Sequence, residues 1–212
     1  MAENLVERLG HDGITRLWIV YADYSGVTHA KIVPPERFHD AIERGIGFAN
    51  ANMDFTILDQ QVPTPLLAAD TGDFLAVPDP TTFAPLPYAT GHGRVFAFLH
   101  SPDTSRWAGC PRTALETVVA RYAERGLLVQ AAFEPECNLF VRTEHGPVPA
   151  DTSRMFSVEG LDIHLDLVDS LMEGLGRMGI VLEQVGLNTD RPSTRSTWSM
   201  TSQCGPRILC SP

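Results

Sequence analysis

Two glutamates separated by a single residue are the clearest chemical feature of this sequence. Glu134 and Glu136 flank Pro135 within residues 127–141, which we predict to be one long strand. Alternate side chains of a strand share a face, so the two carboxylates should lie side by side. The opposite face should be buried and consists of Phe133, Pro135, Cys137 and Leu139. Carboxylates this close repel unless water or a cation intervenes, which indicates either a site for Mg²⁺ or Mn²⁺ or a solvated strand face.

Asp73 and Asp79 bracket a short apolar segment that we also predict to be a strand. Aspartate is common at strand ends, so ordinary turn chemistry is the preferred explanation of this pair from the residues alone. His92 lies in a Gly-His-Gly turn and should be exposed rather than catalytic. The chain has no GxSxG, GxxxxGK[ST] or HExxH motif, so any ATP site must be of another kind.

Composition limits the classes of partner. The 212 residues carry 26 acidic and 16 basic side chains, for a formal net charge of −10. Such a surface repels phosphate backbones and anionic lipids, so we expect no nucleic acid and no membrane as a partner. No apolar run approaches the roughly 20 residues of a membrane helix, and the first residues do not resemble a secretion signal. The four cysteines lack zinc spacing, and free thiols favour a cytoplasmic location.

Periodicity predicts two blocks of mixed helix and strand and then a tail. The expected strands are residues 14–23, 28–33, 74–77, 94–99, 127–141 and 180–185, and the expected helices are residues 2–9, 35–44, 111–125 and 161–178. We expect a long loop at 46–72. Residues 187–212 are rich in Ser, Thr, Arg and Pro and show neither period, so we expect them to be disordered.

Several segments, taken in order, resemble the glutamine synthetase family, including its bacterial relatives that ligate glutamate to amines. They are 23–34 (DYSGVTHAKIVP), 73–79 (DFLAVPD), 86–88 (LPY), 110–115 (CPRTAL), 133–140 (FEPECNLF) and 179–184 (GIVLEQ). The fifth matches the family's E-x-E-F-x-L-F strand closely. The resemblance covers about residues 14–186.

The resemblance implies an α+β fold in three parts. Residues 1–105 would form a β-grasp N-terminal domain and residues 106–186 the beginning of the α/β catalytic domain. Residues 187–212 would be an aberrant tail. The family assembles into stacked rings, so a homo-oligomeric ring is implied for the full-length protein.

The resemblance also implies an activity. In the family, ATP phosphorylates the γ-carboxylate of glutamate, and ammonia or an amine then displaces phosphate from the γ-glutamyl phosphate. Mg²⁺ or Mn²⁺ neutralises the phosphates. By position, Glu134 and Glu136 would each be a ligand to one of two metal ions. Asp73 matches a catalytic acidic residue on a loop that reaches a neighbouring subunit's site.

Two departures from the family pattern concern the nitrogen donor and the first hairpin. His29 stands where the family's hairpin has arginine, and residues 48–52 (FANAN) stand near the place of its Asp-Gly-Ser-Ser loop. Because that loop helps to hold ammonium, its loss favours the amine-ligating branch or leaves the donor open.

The resemblance stops after Gly186, where the family continues with E-x-G-P-x-Q-x-E. Codons chosen for Gly186–Ser199 become GPEYGPAQYEINLE when one C is added after the codon for Gly186, which is the missing motif. A one-base deletion near this codon is therefore our preferred hypothesis, and a divergent genuine tail is the alternative.

Three readings of the chain stay open. It is a fragment of a glutamate–ammonia or glutamate–amine ligase, inactive alone because further metal, nucleotide and glutamate ligands lie beyond Gly186. Alternatively, it is a non-catalytic β-grasp module that associates with full-length ring subunits, or an unrelated acidic α/β protein.

Overall fold

The computed structural model describes residues 2–68, 70–190 and 195–204. The chain divides into two compact units, residues 1–128 and 129–212, which we call the first and second units. The predicted domain boundary at residue 105 stays a prediction, since the first unit also includes the helix that follows it.

The first unit alternates short helices with the strands of one sheet. Its elements are α1 (Ala2–His11), β1 (Arg16–Ala22), β2 (Thr28–Val33), α2 (Phe38–Arg44), β3 (Ile46–Ala49), β4 (Asp73–Pro78), β5 (Ala84–Pro85), β6 (His92–His100) and α3 (Pro111–Ala123). Short 3₁₀ turns occur at Pro35–Arg37, Asn50–Asp54 and Pro80–Thr82. Helices and strands mix as predicted, and the α+β class is confirmed.

The sheet of the first unit is mixed. Its strand order is β2-β1-β6-β4-β3, with β5 paired to β6. Only the central pair, β1 with β6, is parallel among these strand pairs, and Trp18 of β1 is the register partner of Arg94 of β6. The chain therefore crosses from the β1–β2 hairpin through α2, β3 and β4 before β6 returns beside β1.

One face of this sheet carries the core. Alternate residues of the strands point to that face, and α1 and α2 contribute further apolar side chains to it. The main cluster includes Leu5, Leu9, Leu17, Ile19, Tyr21, Phe38, Ile42, Phe48, Met53, Phe74, Ala76, Val95, Ala97 and Leu99. Gly45 ends α2 at φ 74°, where a Cβ atom would lie 2.7 Å from the carbonyl oxygen of Ala76. Only glycine fits this position, so the helix stop predicted there is confirmed.

The expected loop at 46–72 is partly wrong. Its first four residues form β3, which pairs with β4 in register Phe48 to Phe74, and Asn50–Asp54 form a 3₁₀ turn. A strand of four residues is too short to show a clear sequence period. It is stabilised by pairing with β4, and sequence periodicity does not reveal that pairing.

The second unit contains short strands and two consecutive helices. Its elements are β7 (Ala131–Phe133), β8 (Glu136–Asn138), β9 (Phe140–Thr143), β10 (Gly146–Pro149), α4 (Val158–Ile163), α5 (Leu165–Arg177), β11 (Val181–Asp190) and β12 (Arg195–Cys204). β11 pairs with β12, and β12 pairs with both β7 and β8, while β9 and β10 form a separate hairpin. All of these pairings are antiparallel.

The predicted strand over 127–141 is therefore wrong as a single element. It is interrupted at Glu134 and Pro135 and resumes as β8 on the same partner strand. Proline has no N–H to donate to a ladder, which accounts for the break.

The expectation for the tail differs from the structure in part. Residues 187–190 extend β11 and residues 195–204 form β12. Leu187 is fully buried, and a Cβ atom on Gly160 would lie 2.5 Å from its side chain. Threonine and tryptophan are strong strand formers, and pairing with β11, β7 and β8 makes residues 195–204 a strand despite the lack of alternation. The rest of the predicted tail, residues 191–194 and 205–212, lies outside the described residues.

No helix in the described part of the chain is long and apolar enough to cross a membrane.

Candidate functional site

The two predicted metal ligands, Glu134 and Glu136, lie in the second unit at the interruption between β7 and β8. Both are exposed, and Glu136 begins β8 opposite Ser199 of β12. The face that was expected to be buried behind them is open, because Phe133 is 63% exposed and Cys137 is exposed as well. That expectation was wrong, since it assumed a sheet covered on one side.

The donor set at this place is small. Within residues 2–68, 70–190 and 195–204, no group of three or more histidine, cysteine or acidic side chains is arranged to hold a metal ion. Carboxylate oxygens are the correct chemistry for Mg²⁺ or Mn²⁺, but these ions take about six oxygen ligands. The described residues therefore supply only part of a metal site.

Asp73 lies in the first unit as the first residue of β4. It pairs with Ala49 at the end of β3, and its side chain is exposed. The structure thus places an exposed carboxylate at the beginning of strand β4. Glu134 and Glu136 belong to the other unit, so the first unit does not bring the three predicted residues together.

Asp79 has a structural role that goes beyond the turn chemistry expected from the sequence. Its Oδ1 accepts hydrogen bonds from the backbone N–H and hydroxyl of Thr81, at 3.1 and 2.6 Å. Its Oδ2 accepts one from Arg112 Nη2 at 3.0 Å, and the Arg112 guanidinium lies 4.2 Å from the ring centroid of Phe98. Asp79 therefore joins the end of β4 to the start of α3, and the turn explanation accounts for it.

A buried group of polar side chains accounts for two residues of the β1–β2 hairpin, Asp23 and His29. Asp23 is almost fully buried and accepts hydrogen bonds from the N–H groups of Ser25 and Val27, at 2.8 and 2.9 Å. His29 Nε2 donates to its other oxygen at 2.9 Å, and the imidazole stacks on Tyr21. Histidine at position 29 thus satisfies a buried carboxylate inside the hairpin.

His92 is part of the sheet rather than of an exposed turn. It begins β6, is half-buried, and its Nδ1 accepts a hydrogen bond of 2.8 Å from Trp18 Nε1. The expectation of an exposed His92 was wrong, because strand β6 begins two residues earlier than its apolar run suggests.

Comparison with known proteins decides the family. A sequence model described as the glutamine synthetase N-terminal domain matches residues 2–111. This chain belongs to the glutamine synthetase family. The first unit is thus the family's N-terminal domain with part of the segment that follows it.

Relatives extend the similarity into the second unit. The chain is 30% identical over 179 residues to a glutamine synthetase of Mycobacterium bovis, covering 79% of this chain and 37% of that protein. It is 25% identical to a gamma-glutamylanilide synthase of an Acinetobacter species, covering 87% of this chain and 43% of the relative. The chain therefore spans about two-fifths of the length of the curated relatives that it matches.

A solved structure shares the fold. A chain of a GmaS complex with ADP superposes with a TM-score of 0.72 at 21% identity, covering 96% of this chain and 45% of that one. At this identity the likeness is one of fold.

Proposed function

We propose that this chain is part of an ATP-dependent ligase that joins ammonia or an amine to the γ-carboxylate of glutamate through γ-glutamyl phosphate. The observation that carries the proposal is the family match over residues 2–111 together with ligase relatives that match on into the second unit. The substrates would be glutamate, ATP and a nitrogen donor. A full-length enzyme would form a homo-oligomeric ring, and its location would be cytoplasmic.

Glu134 and Glu136 would hold divalent metal in that enzyme. Two exposed carboxylates at the strand interruption offer hard oxygen donors, and a bound Mg²⁺ or Mn²⁺ would neutralise charge on the transferred phosphoryl group. Asp73, at the edge of the first unit, would act as the catalytic acidic residue. The exposure of all three side chains leaves them accessible to substrate or to a neighbouring subunit.

We propose further that the chain is inactive alone. Its described residues supply only two of the metal's ligands, and the family's next two glutamates are replaced at positions 187–199 by a sequence that a one-base deletion would produce. The strands formed by 187–190 and 195–204 are compatible with either origin, so the test is made on the gene. Sequencing across the codon for Gly186 distinguishes a deletion from a divergent tail.

Activity is tested with three forms of the protein. They are the 212-residue chain, the chain cut after Gly186, and the product of the gene with one C restored. Each is assayed for phosphate release from ATP with glutamate plus ammonia or a panel of amines. We expect glutamate-dependent release only from the restored gene, and its Glu136→Ala variant should lose that activity.

The same phosphate-release assay identifies the nitrogen donor. The sequence FANAN at 48–52 forms the end of β3 and the 3₁₀ turn, where the family's ammonia-using members carry a different loop. We propose an amine rather than ammonia as the donor. A restored enzyme that uses ammonia at least as well as every amine would contradict this choice.

A second candidate function is a non-catalytic module that binds full-length subunits. The observation in its favour is that the first unit encloses a buried core, whereas Leu187 is the only buried hydrophobic side chain among residues 129–187. Co-purification of the 212-residue chain with a full-length ring, without glutamate-dependent phosphate release, would support this candidate.

A further inference from the structure

The face of the first-unit sheet opposite the core carries a cluster of polar and aromatic side chains. We call it the outer-face cluster, and its members are Trp18, Tyr88, His92, Arg94 and Phe96. His92 and Phe96 lie two residues to either side of Arg94 in β6, and Trp18 of β1 is the register partner of Arg94. The residues of β6 between them are buried, so alternation places these side chains on the outer face. Tyr88 belongs to the turn before β6 and is 77% exposed.

Arg94 lacks the anion that a guanidinium in its position needs. It is half-buried, its Nε is buried without a hydrogen-bond partner, and it forms no ion pair within the described residues. Burial lowers the pKa of Arg94 from its usual value, because removing the cation from water is costly, and nearby Tyr88 opposes this shift. The guanidinium carbon lies 4.9 Å from the ring centroid of Phe96, a contact that uses none of its N–H donors.

His92 supplies a second hydrogen-bond donor on the same face. The indole N–H of Trp18 donates to His92 Nδ1 at 2.8 Å, and an indole nitrogen cannot accept a hydrogen bond in return. Nδ1 therefore carries no proton, and the ring proton lies on Nε2. No residue in the described part of the chain accepts a hydrogen bond from Nε2. Trp18 thus holds an imidazole N–H beside Arg94 that is available to a ligand.

Other arginines within the described ranges do not share the situation of Arg94. Arg106 and Arg112 contact the ring of Phe98 in a similar way, but they pair with Glu116 and Asp79. The remaining arginines without an acidic partner are exposed; they are Arg16, Arg121, Arg125, Arg142 and Arg154. Arg94 thus combines partial burial with the lack of an anion.

The donors and rings of this cluster match a carboxylate attached to an aromatic ring. A carboxylate can accept two parallel hydrogen bonds from one guanidinium and another from an imidazole N–H, which offsets the desolvation of Arg94. A single guanidinium on a strand, rather than several cations at the start of a helix, favours a carboxylate over a phosphate group. Trp18 and Tyr88 supply aromatic surface beside the donors, and Ile32, 50% exposed and the register partner of Trp18, extends the apolar area.

We propose that the outer-face cluster binds a small aromatic carboxylate. The carboxylate of the ligand accepts hydrogen bonds from Arg94 and His92, and its ring packs against Trp18 and Tyr88. The net charge of −10 repels anions from the chain as a whole, so binding depends on the local pairing with Arg94.

The test is isothermal titration calorimetry of the full chain with benzoate as the probe. Benzamide, which has the same shape without the charge, and inorganic phosphate, which has charge without a ring, are the comparison compounds. We expect one benzoate per chain with a dissociation constant of about 1 mM or lower, and binding of both comparison compounds at least about tenfold weaker. Arg94→Gln should weaken benzoate binding about tenfold or more, since the charge-assisted pair is lost. The matched control is Arg125→Gln, which removes an exposed unpaired arginine and should bind benzoate as the wild type does.

A second variant and a second measurement protect the test against misfolding of Arg94→Gln. Tyr88→Ala changes a largely exposed side chain and should weaken benzoate binding several-fold, while circular dichroism stays that of the wild type. In NMR spectra of the nitrogen-labelled chain, benzoate should shift the indole N–H signal of Trp18, which is bonded to His92, and leave that of Trp107 unchanged. No binding of benzoate, equal binding of benzamide or phosphate, or binding unchanged in both Arg94→Gln and Tyr88→Ala would overturn the proposal. The readout is ligand binding alone, so it is independent of ligase activity.

Discussion

In the first unit, Leu17, Ile19 and Val95 are completely buried beneath α1 and α2, whereas in the second unit Leu165 and Met172 are half-exposed on α5. Both regions carry apolar side chains at the spacing of buried elements. In the first unit a mixed sheet and two helices cover them. Among residues 129–187 of the second unit, Leu187 is the only buried hydrophobic side chain, so apolar periodicity alone does not guarantee a core.

The open faces of the second unit have a consequence for solubility. Exposed apolar side chains on α5 and on the strands favour association, and the net charge of −10 opposes it only partly. This difference between the units can be tested by matched substitutions in each.

The largest expected effect is that of truncating leucine in the two units. Leu17→Ala removes a side chain that is 0% exposed and should lower the free energy of unfolding of the first unit by about 3–5 kcal/mol. Leu165→Ala, at a position 50% exposed, should cost less than about 1 kcal/mol. Denaturant unfolding of each variant, followed by circular dichroism and by tryptophan fluorescence, measures the two losses. Equal losses for the two variants would show that the second unit has a core of its own.

A smaller effect is expected from the Asp79–Arg112 ion pair. Asp79→Asn keeps the turn with Thr81 but leaves a partly buried guanidinium without its anion, which should destabilise the first unit by about 1–3 kcal/mol. The control is Asp40→Asn, which removes a more exposed carboxylate that pairs with Arg37 and Arg44 and should cost about 0–1 kcal/mol. If both variants have the melting temperature of the wild type, the Asp79–Arg112 ion pair does not stabilise the contact between α3 and β4.

Elements of the fold could be predicted from the sequence where neighbouring residues determine them, and they were missed where a residue or strand distant in the sequence determines them. The strand Thr28–Val33 and the helix stop at Gly45 were predicted correctly, because local residue types determine them. The strand Ile46–Ala49 was missed, because its four residues carry little strand signal of their own and pairing with β4 stabilises them.

The site shows the same division. The two glutamates around Pro135 were recognisable as a motif, but their exposure depends on which elements cover the strand. The partnership of Asp79 with Arg112 joins residues 33 positions apart, and no local pattern in one sequence reveals it.

The smallest expected effect is a dependence of stability on alkaline pH. Burial raises the pKa of Tyr21 above its usual value near 10. The unfolded chain therefore loses this proton first, so the stabilisation is complete below pH 10 and is lost as pH rises through the folded-state pKa. Tyr21→Phe should show a shallower loss of stability above about pH 10 than the wild type does. Identical pH profiles in urea titrations would indicate that Tyr21 ionises equally in both states.

The contrast between the two units is tested most directly by amide hydrogen exchange of the intact chain, resolved by peptide. Amides of β1 and β6 should exchange only when the first unit unfolds as a whole, because they are central in a covered sheet. Amides of α5 and β11 should exchange at least about a hundredfold faster, through local opening of the uncovered second unit. Equal protection across both units, lost together in one cooperative transition, would contradict the account of a closed first unit and an open second one.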